Sequence, residues 1–229
     1  MKTSRIAMML TLAVVFVLGA ASVLAAEPGE AAVSNQANLG EYLQTVADTV
    51  TVEAGNITYA DVDTNMSTYR WAGITGNVTG NIVLGDASNN KMFQWTAAGL
   101  LVYASQGATI TWSSLADANE AAVTGTYTYL ATGKSDAYDT TFTGAAESIG
   151  SNIFTALTSD YAQTYDNTET PTWKTYSLTD GSEFVFAGLV SAAGTNFAGT
   201  TVDYQMIVPE DGTAGDLTTQ TYNLWVELE

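Results

Sequence analysis

The sequence predicts an all-β protein: an antiparallel β-sandwich or jelly-roll-like fold with one or two short helices. Three observations point there. Short runs of alternating apolar and polar residues recur along the chain, with the two-residue period of a half-buried strand. Clusters of Gly, Asn and Asp separate these runs. Thr and aromatic residues fill them, and such side chains suit a pleated surface.

Taken in order, residues 27–45 are small and polar and read as a flexible N-terminal segment, available as a donor strand. A short helical turn is expected at 41–46. Val46, Asp48, Val50 and Val52 then alternate with threonines, which predicts a strand that Asp48 interrupts. Val78, Gly80, Ile82 and Leu84 form another alternating face. The turn formers of 85–91 follow, then Met92, Phe93 and Trp95, which predicts a hairpin. Residues 100–104 and 109–112 read as short strands, as do Tyr127 and Tyr129 between Thr126 and Thr128. Ile149, Ile153 and Leu157 recur every fourth residue and predict a helix over 145–157, although Gly150 inside it costs about 1 kcal/mol relative to Ala. Phe184 and Phe186 lie on one side of a strand opening after the Asp180-Gly181 turn. Val202, Tyr204, Met206 and Val208 mark a late strand, 209–216 a loop, and Tyr222, Leu224, Val226 and Leu228 the closing strand. Residues 46–229 are expected to form one domain.

Lys2 and Arg5 precede an uncharged apolar run at 6–18 and small residues up to Ala26, the layout of a secretory signal peptide over 1–26. Cleavage after Ala26 leaves Glu27 first. The alternative is a retained anchor, since 6–26 is long enough to cross a bilayer. Beyond position 26 the chain carries 24 acidic residues against four basic ones (Arg70, Lys91, Lys134, Lys174), a net charge of −20. This excludes nucleic acid, whose phosphates need clustered Lys and Arg, and disfavours an anionic membrane surface. There is no Cys, so packing alone must stabilise the fold.

With neither His nor Cys, a Ser-His-Asp triad, a cysteine protease and a typical zinc site are all excluded. No phosphate-cradling Gly loop is present. Carboxylates are the only acid–base groups left, and no pair stands out as catalytic. Calcium needs only oxygen ligands. Asp61, Asp63 and Asn65 have EF-hand spacing, but Met66 and Ala72 occupy the Gly and Glu positions, so that motif fails. A looser calcium site remains open on Asp61 and Asp63, or on Glu210, Asp211 and Asp216. The alternative is ordinary turn chemistry. No other cofactor is implied. Asn56, Asn65 and Asn77 each head an Asn-x-Ser/Thr sequon, expected at the surface if glycosylated. The tryptophans are expected in the core, except Trp225, which shares a side with Asn223 and Glu227 and is expected to face a partner.

The phrases YRWAGITGNVTGNIVLGDASNN (69–90), WKTYSLTDGSEFVFAGLV (173–190), VDYQMIVPEDG (202–212) and YNLWVELE (222–229) resemble those of secreted archaeal cell-surface proteins with β-sandwich subunits. The resemblance implies a self-assembling extracellular subunit of a filament, sheath or S-layer, of a kind often joined by donating a strand to a neighbour. It implies no catalytic residue. The expected function is therefore structural, at the cell exterior, with copies of the chain itself as partners. A monomeric glycan- or protein-binding module is the alternative, and a carboxylate-dependent hydrolase a third.

Overall fold

Two stretches, GLLVYAS and FVFAGL, are apolar on both sides of the chain, and a strand of that kind needs cover on both faces. They lie side by side at the centre of the fold. The structure is a computed structural model that describes residues 27–42, 46–154, 157–212 and 219–229. The signal segment expected at 1–26 lies outside the described residues.

In chain order the strands are β1 (Gly29–Glu30), β2 (Trp71–Gly76), β3 (Gly80–Gly85), β4 (Lys91–Ala97), β5 (Gly99–Ser105) and β6 (Ala116–Asp117). After helices α1 (Glu120–Thr126) and α2 (Tyr138–Thr141) come β7 (Gly144–Ser148), β8 (Thr158–Tyr165), β9 (Pro171–Thr179), β10 (Phe184–Leu189), β11 (Gly194–Thr195), β12 (Thr201–Val202), β13 (Tyr204–Pro209) and β14 (Asn223–Leu228). The main sheet runs β1-β14-β5-β10-β9-β8-β7, with β6 added beside β9. Every pairing is antiparallel. A ribbon of β2 and β13 packs over β8, β9 and β10, so the protein is all-β and sandwich-like, as expected.

Side chains of the central strands divide between two cores. Leu101, Tyr103, Tyr176, Leu178, Val185, Ala187 and Trp225 face one way, onto Trp112 and Ile149. Val102, Ala104 and Phe186 face the other, onto Met206 and Val208 of the ribbon and Val123, Leu130 and Phe142 of the helical connection. Each fully buried side chain of this size is worth about 1.5–3 kcal/mol, which is how a chain without disulfides holds together.

The hairpin, the strands at 100–104 and after Asp180-Gly181, the late strand and the closing strand all form where expected. Residues 109–112 instead end in a 3₁₀ turn, Trp112–Ser114, that drops the Trp112 ring onto Tyr103 and Trp225. Around Tyr127 and Tyr129 the chain is helical. Asn119 caps α1 by accepting the Ala122 N–H at 3.0 Å. Val123, Tyr127 and Leu130, all buried, follow helical rather than strand spacing.

The helix expected at 145–157 is absent. Residues 144–148 pair with β8 as a strand. Past Ile149, the Ser151 hydroxyl and the Asn152 N–H both donate to Glu227 (Asn152 at 2.5 Å), and the Asn152 N–H is thereby lost to a helical ladder. Ile149 and Ile153 still reach the core from irregular backbone, and residues 155–156 lie outside the described set.

The strand expected at 46–52 is also absent. Val46, Val50 and Val52 are exposed and no strand among the described residues lies beside them to complete a ladder. Of the turn expected at 41–46, residues 43–45 lie outside the described set, and 41, 42 and 46 carry no helix. The N-terminal segment does not hang free from its first residue. Pro28 is buried, Gly29 and Glu30 pair with Val226 and Trp225, and the Ala31 N–H donates to the Leu224 carbonyl at 2.9 Å. The segment thus begins on the chain's own sheet.

Candidate functional site

The hairpin turn is built by Asp86. Its carboxylate accepts the Ser88 and Asn90 N–H groups and the Asn90 side-chain amide, each at 2.9 Å, while Asn89 takes the left-handed conformation with φ 62°. The Asn90 amide, followed by the backbone donors, holds the Asp86 carboxyl below its ordinary value. Two strands emerge from this turn in fixed register, Ile82 opposite Trp95 and Leu84 opposite Phe93.

Cross-strand partners share a face, so Ile82, Leu84, Phe93 and Trp95 form one apolar face while Asn81 and Thr96 turn the other way. Phe93 and Trp95 stack obliquely with centroids 4.7 Å apart. An apolar face of this kind is built to be covered, yet Phe93 is 55% and Trp95 48% exposed. Among the described residues β3 and β4 pair only with each other, and no strand lies along either outer edge.

A second uncovered apolar element is the arm of residues 31–70, which contains no strand among its described residues. Along 46–66 it exposes Val46, Val50, Val52, Ile57, Tyr59, Val62 and Met66, with Ile57 bare to solvent. Its local bonds shape it without covering it. The Asn56 amide donates to Glu53 at 2.9 Å, and the Tyr59 hydroxyl to Asp61 at 2.5 Å. That bond, with a lesser contribution from burial, raises the Tyr59 hydroxyl above its ordinary value.

The two elements are rooted at opposite ends of the same strands. The arm leaves the sheet at Ala31, beside Leu224 near the start of β14, and returns at Arg70, whose carbonyl accepts the Glu210 N–H at 2.8 Å. Tyr222 ties these points together by donating to the Pro209 carbonyl at 2.7 Å. Arg70 is further held by an ion pair with Asp136, and Trp71 Nε1 donates to the Asp136 carbonyl at 2.8 Å. The hairpin springs from the other end of the same strands. Gly80 lies so close to Leu228 that a Cβ there would sit 2.6 Å from its methyls, and Gly99 abuts Val78. From Leu224 to Leu228 is about 13 Å along the strand, and from Trp71 to Gly76 about 17 Å.

Among the described residues, the acidic side chains considered for calcium do not gather in a group of three. Asp61 and Asp63 are exposed on the arm, and Asp61 already accepts from Tyr59. Glu210 accepts the Gly212 N–H at 2.7 Å and Asp211 the Gln220 amide at 2.9 Å, while Asp216 lies outside the described residues. Among the described residues no three acidic side chains converge on a point where an ion could sit. Asn56, Asn65 and Asn77 are all exposed, the first two on the arm and the third between β2 and β3.

Trp225 does not face outward. It is buried at 5% exposure, edge-on to Trp112 at 5.9 Å, because 109–118 and 149–154 cover that face of the sheet. Glu227 shares the face and is 2% exposed, accepting from Tyr103 at 2.6 Å, Ser151 at 2.9 Å and Asn152. Burial first, then the Glu227 charge, drives the Tyr103 hydroxyl well above its ordinary range. The strict alternation of YNLWVELE puts Glu227 beside Trp225, which is the signal that could have marked both as interior.

The remaining carboxylates with close partners act as ties. Glu147 binds Lys174 at 2.7 Å and Tyr176 at 2.5 Å. Burial works to raise its carboxyl, but Lys174 and Tyr176 outweigh that and hold it below its ordinary value. No helix among the described residues is long and apolar enough to cross a membrane. Comparison with known protein families, curated proteins and solved structures finds no match, so the likeness to archaeal surface proteins rests on the quoted phrases alone.

Proposed function

We propose that this protein is a secreted structural subunit that self-assembles outside the cell into a filament, sheath or layer, without catalytic activity. One observation carries the reading: the chain presents two uncovered apolar elements, the arm and the hairpin, rooted at opposite ends of the same strands. Apolar side chains gathered on one exposed face, as on the hairpin, are a surface a partner can cover. Unpaired strand edges, as on β3 and β4, are places where another chain can add hydrogen bonds. A contact between unlike surfaces repeats head to tail, closing into a ring where the rotation closes and running on as a filament where it does not.

The composition agrees with this reading. A net charge of −18 over the whole chain keeps free subunits apart in dilute solution, and contacts made only by the folded state add to its stability in a polymer. Exposed sequon asparagines suit an exterior location. The test is sedimentation velocity and negative-stain electron microscopy of the purified chain at rising concentration, with salt and calcium varied. Ordered polymers above a threshold concentration are expected. A chain that stays monomeric throughout, and binds a glycan or another protein instead, defeats the reading.

A further inference from the structure

We propose that the apolar face of the β3–β4 hairpin is a like-with-like joint: it packs on the same face of a second copy, the two hairpins lying antiparallel, tip over base. The inference rests on the reading that copies assemble and names one contact of that assembly, in which the arm takes no part. The face consists of Ile82, Leu84, Phe93 and Trp95, each near half exposed. A two-stranded hairpin is marginally stable in water unless another element covers its apolar face. Residues 80–97 make one such ribbon, seated on the body where Gly80 meets Leu228 and where Ala98 exchanges backbone hydrogen bonds with Glu229.

Charge identifies the occupant as a second copy. The whole chain carries −18, but residues 80–97 hold one acid and one base, Asp86 and Lys91, and sum to zero. An acidic partner finds no net positive charge on this face, and that includes the chain's own arm, with five carboxylates and no base over 31–69. Two neutral faces meet without opposing like charges. The turn that ends the ribbon is polar, with Asp86, Ser88, Asn89 and Asn90, which disfavours burying the tip in lipid. Charge also fixes the orientation. The seven residues of β4 span about 23 Å, against a screening length of about 8 Å at physiological salt. Antiparallel hairpins keep the two acidic bodies at opposite ends of that span, where their repulsion is screened. Parallel hairpins would set the bodies side by side.

Turning one hairpin over the other, about an axis across the strands, sets Phe93 of one copy over Trp95 of the other and Leu84 over Ile82. Phe93 and Trp95 are already inclined at 54° with centroids 4.7 Å apart, so four rings gather at the joint in tilted contacts, which aromatic pairs prefer to flat stacking. An aromatic side chain buries about 150–250 Å² when covered, so two rings and two aliphatic chains near half exposed contribute on the order of 300 Å² per copy, about 600 Å² in all. That is below the roughly 1,200–2,000 Å² of a stable complex and in the range of weak encounters. The joint therefore forms at high concentration, or when a second contact already holds the copies near each other. A like-with-like joint closes at two copies, so the hairpin makes a pair, and another surface of the chain must join pairs into a polymer.

Sedimentation equilibrium of the full chain, from micromolar to millimolar concentration, tests the joint. A dimer is expected in the upper part of that range. Tryptophan emission should shift to the blue with it, and Trp95→Phe should remove the shift, since Trp95 is the most exposed of the five tryptophans. Leu84→Asp and Ile82→Lys should each weaken the dimer at least about tenfold by burying an unpaired charge, whereas Ile57→Asp on the arm should not. None of these side chains belongs to either buried core, so circular dichroism of the dilute variants should match that of the parent. Trp95→Thr, which keeps a strand-forming residue, repeats the test without adding a charge and should also weaken the dimer about tenfold. Mixing Leu84→Asp with Ile82→Lys should restore the dimer, because the antiparallel arrangement sets position 84 of one copy over position 82 of the other. A mixture that stays monomeric, polymers formed equally well by Leu84→Asp, or a dimer weakened by Ile57→Asp alone overturns this contact and leaves the assembly reading standing. No association of the unsubstituted chain at any concentration or salt overturns both.

Discussion

Replacing Glu227 with alanine is expected to unfasten one face of the sheet. Its carboxylate takes hydrogen bonds from the Tyr103 hydroxyl, the Ser151 hydroxyl and the Asn152 N–H, and so pins residues 151–152 to β14. Hydrogen bonds to a charged group contribute about 1.5–3 kcal/mol each, and a buried donor left without a partner costs about 1–3 kcal/mol. The three are not independent, and water entering the vacated space satisfies some of them, so the loss should be about 3–5 kcal/mol, similar to breaking a buried pair. For a chain of this length that lowers the melting temperature by about 6–20 °C. Thermal denaturation by circular dichroism measures it, and limited proteolysis locates it, with new cleavage expected between 149 and 157 as Ile149 and Ile153 come away from the core. Glu227→Gln keeps one acceptor oxygen and should lose less than half as much. A loss below about 1 kcal/mol for the alanine variant, with no new cleavage, would refute this account of the buried carboxylate.

Three further outcomes are expected. Trp225→Ala should destabilise the dilute monomer by about 3–5 kcal/mol by opening a core cavity, whereas Trp95→Ala should cost under about 1 kcal/mol; chemical denaturation of the two side by side checks the contrast. Stability should fall on acidification. For Asp180, burial pushes the carboxyl up but the Thr111, Glu183 and Ser182 N–H groups outweigh it, so Asp180 and Glu147 both sit below their ordinary values when folded. The unfolded chain then takes up protons first, near pH 4, and their contribution, complete above that pH, is lost as pH drops through the lower folded values. A melting temperature unchanged from pH 6 to pH 3 would count against it. Raising salt from 0.01 to 1 M shortens the screening length from about 30 to about 3 Å and should lower the polymerisation threshold of so acidic a chain, read by light scattering; a threshold that rises with salt would show that ionic contacts, not apolar ones, dominate.

Much of the fold was legible because alternation reports directly on which side chains share a face. Ile82, Leu84 and Trp95 were assigned to a hairpin by that rule, and the hairpin formed. The same rule is silent on whether anything covers the face, so the exposure of Trp95 and the burial of Trp225 both needed the structure. Strands β8 and β9 were hard to see because Ser, Thr and Lys interrupt their apolar faces, although Trp173, Tyr176 and Leu178 lie in the core. Helix α1 was hidden by Gly125 and the threonines around it, poor helix formers that Asn119 and the burial of Val123 and Leu130 offset. At 145–157 helical spacing misled, since the isoleucines reach the core from a loop held by Glu227. Val46, Val50 and Val52 have the pattern of a strand, and what they lack in the single chain is a neighbour.

Hydrogen–deuterium exchange of the amides in 46–66 and 80–97, compared between a dilute solution and a concentrated one, tests that last point most directly. Residues 46–66 should exchange quickly when dilute, the cross-strand amides of the hairpin more slowly, and both segments should gain protection as the concentration rises. Strong protection of 46–66 already present in the dilute chain, or assembly that leaves both segments exchanging as before, would contradict the claim that copies of this protein complete one another.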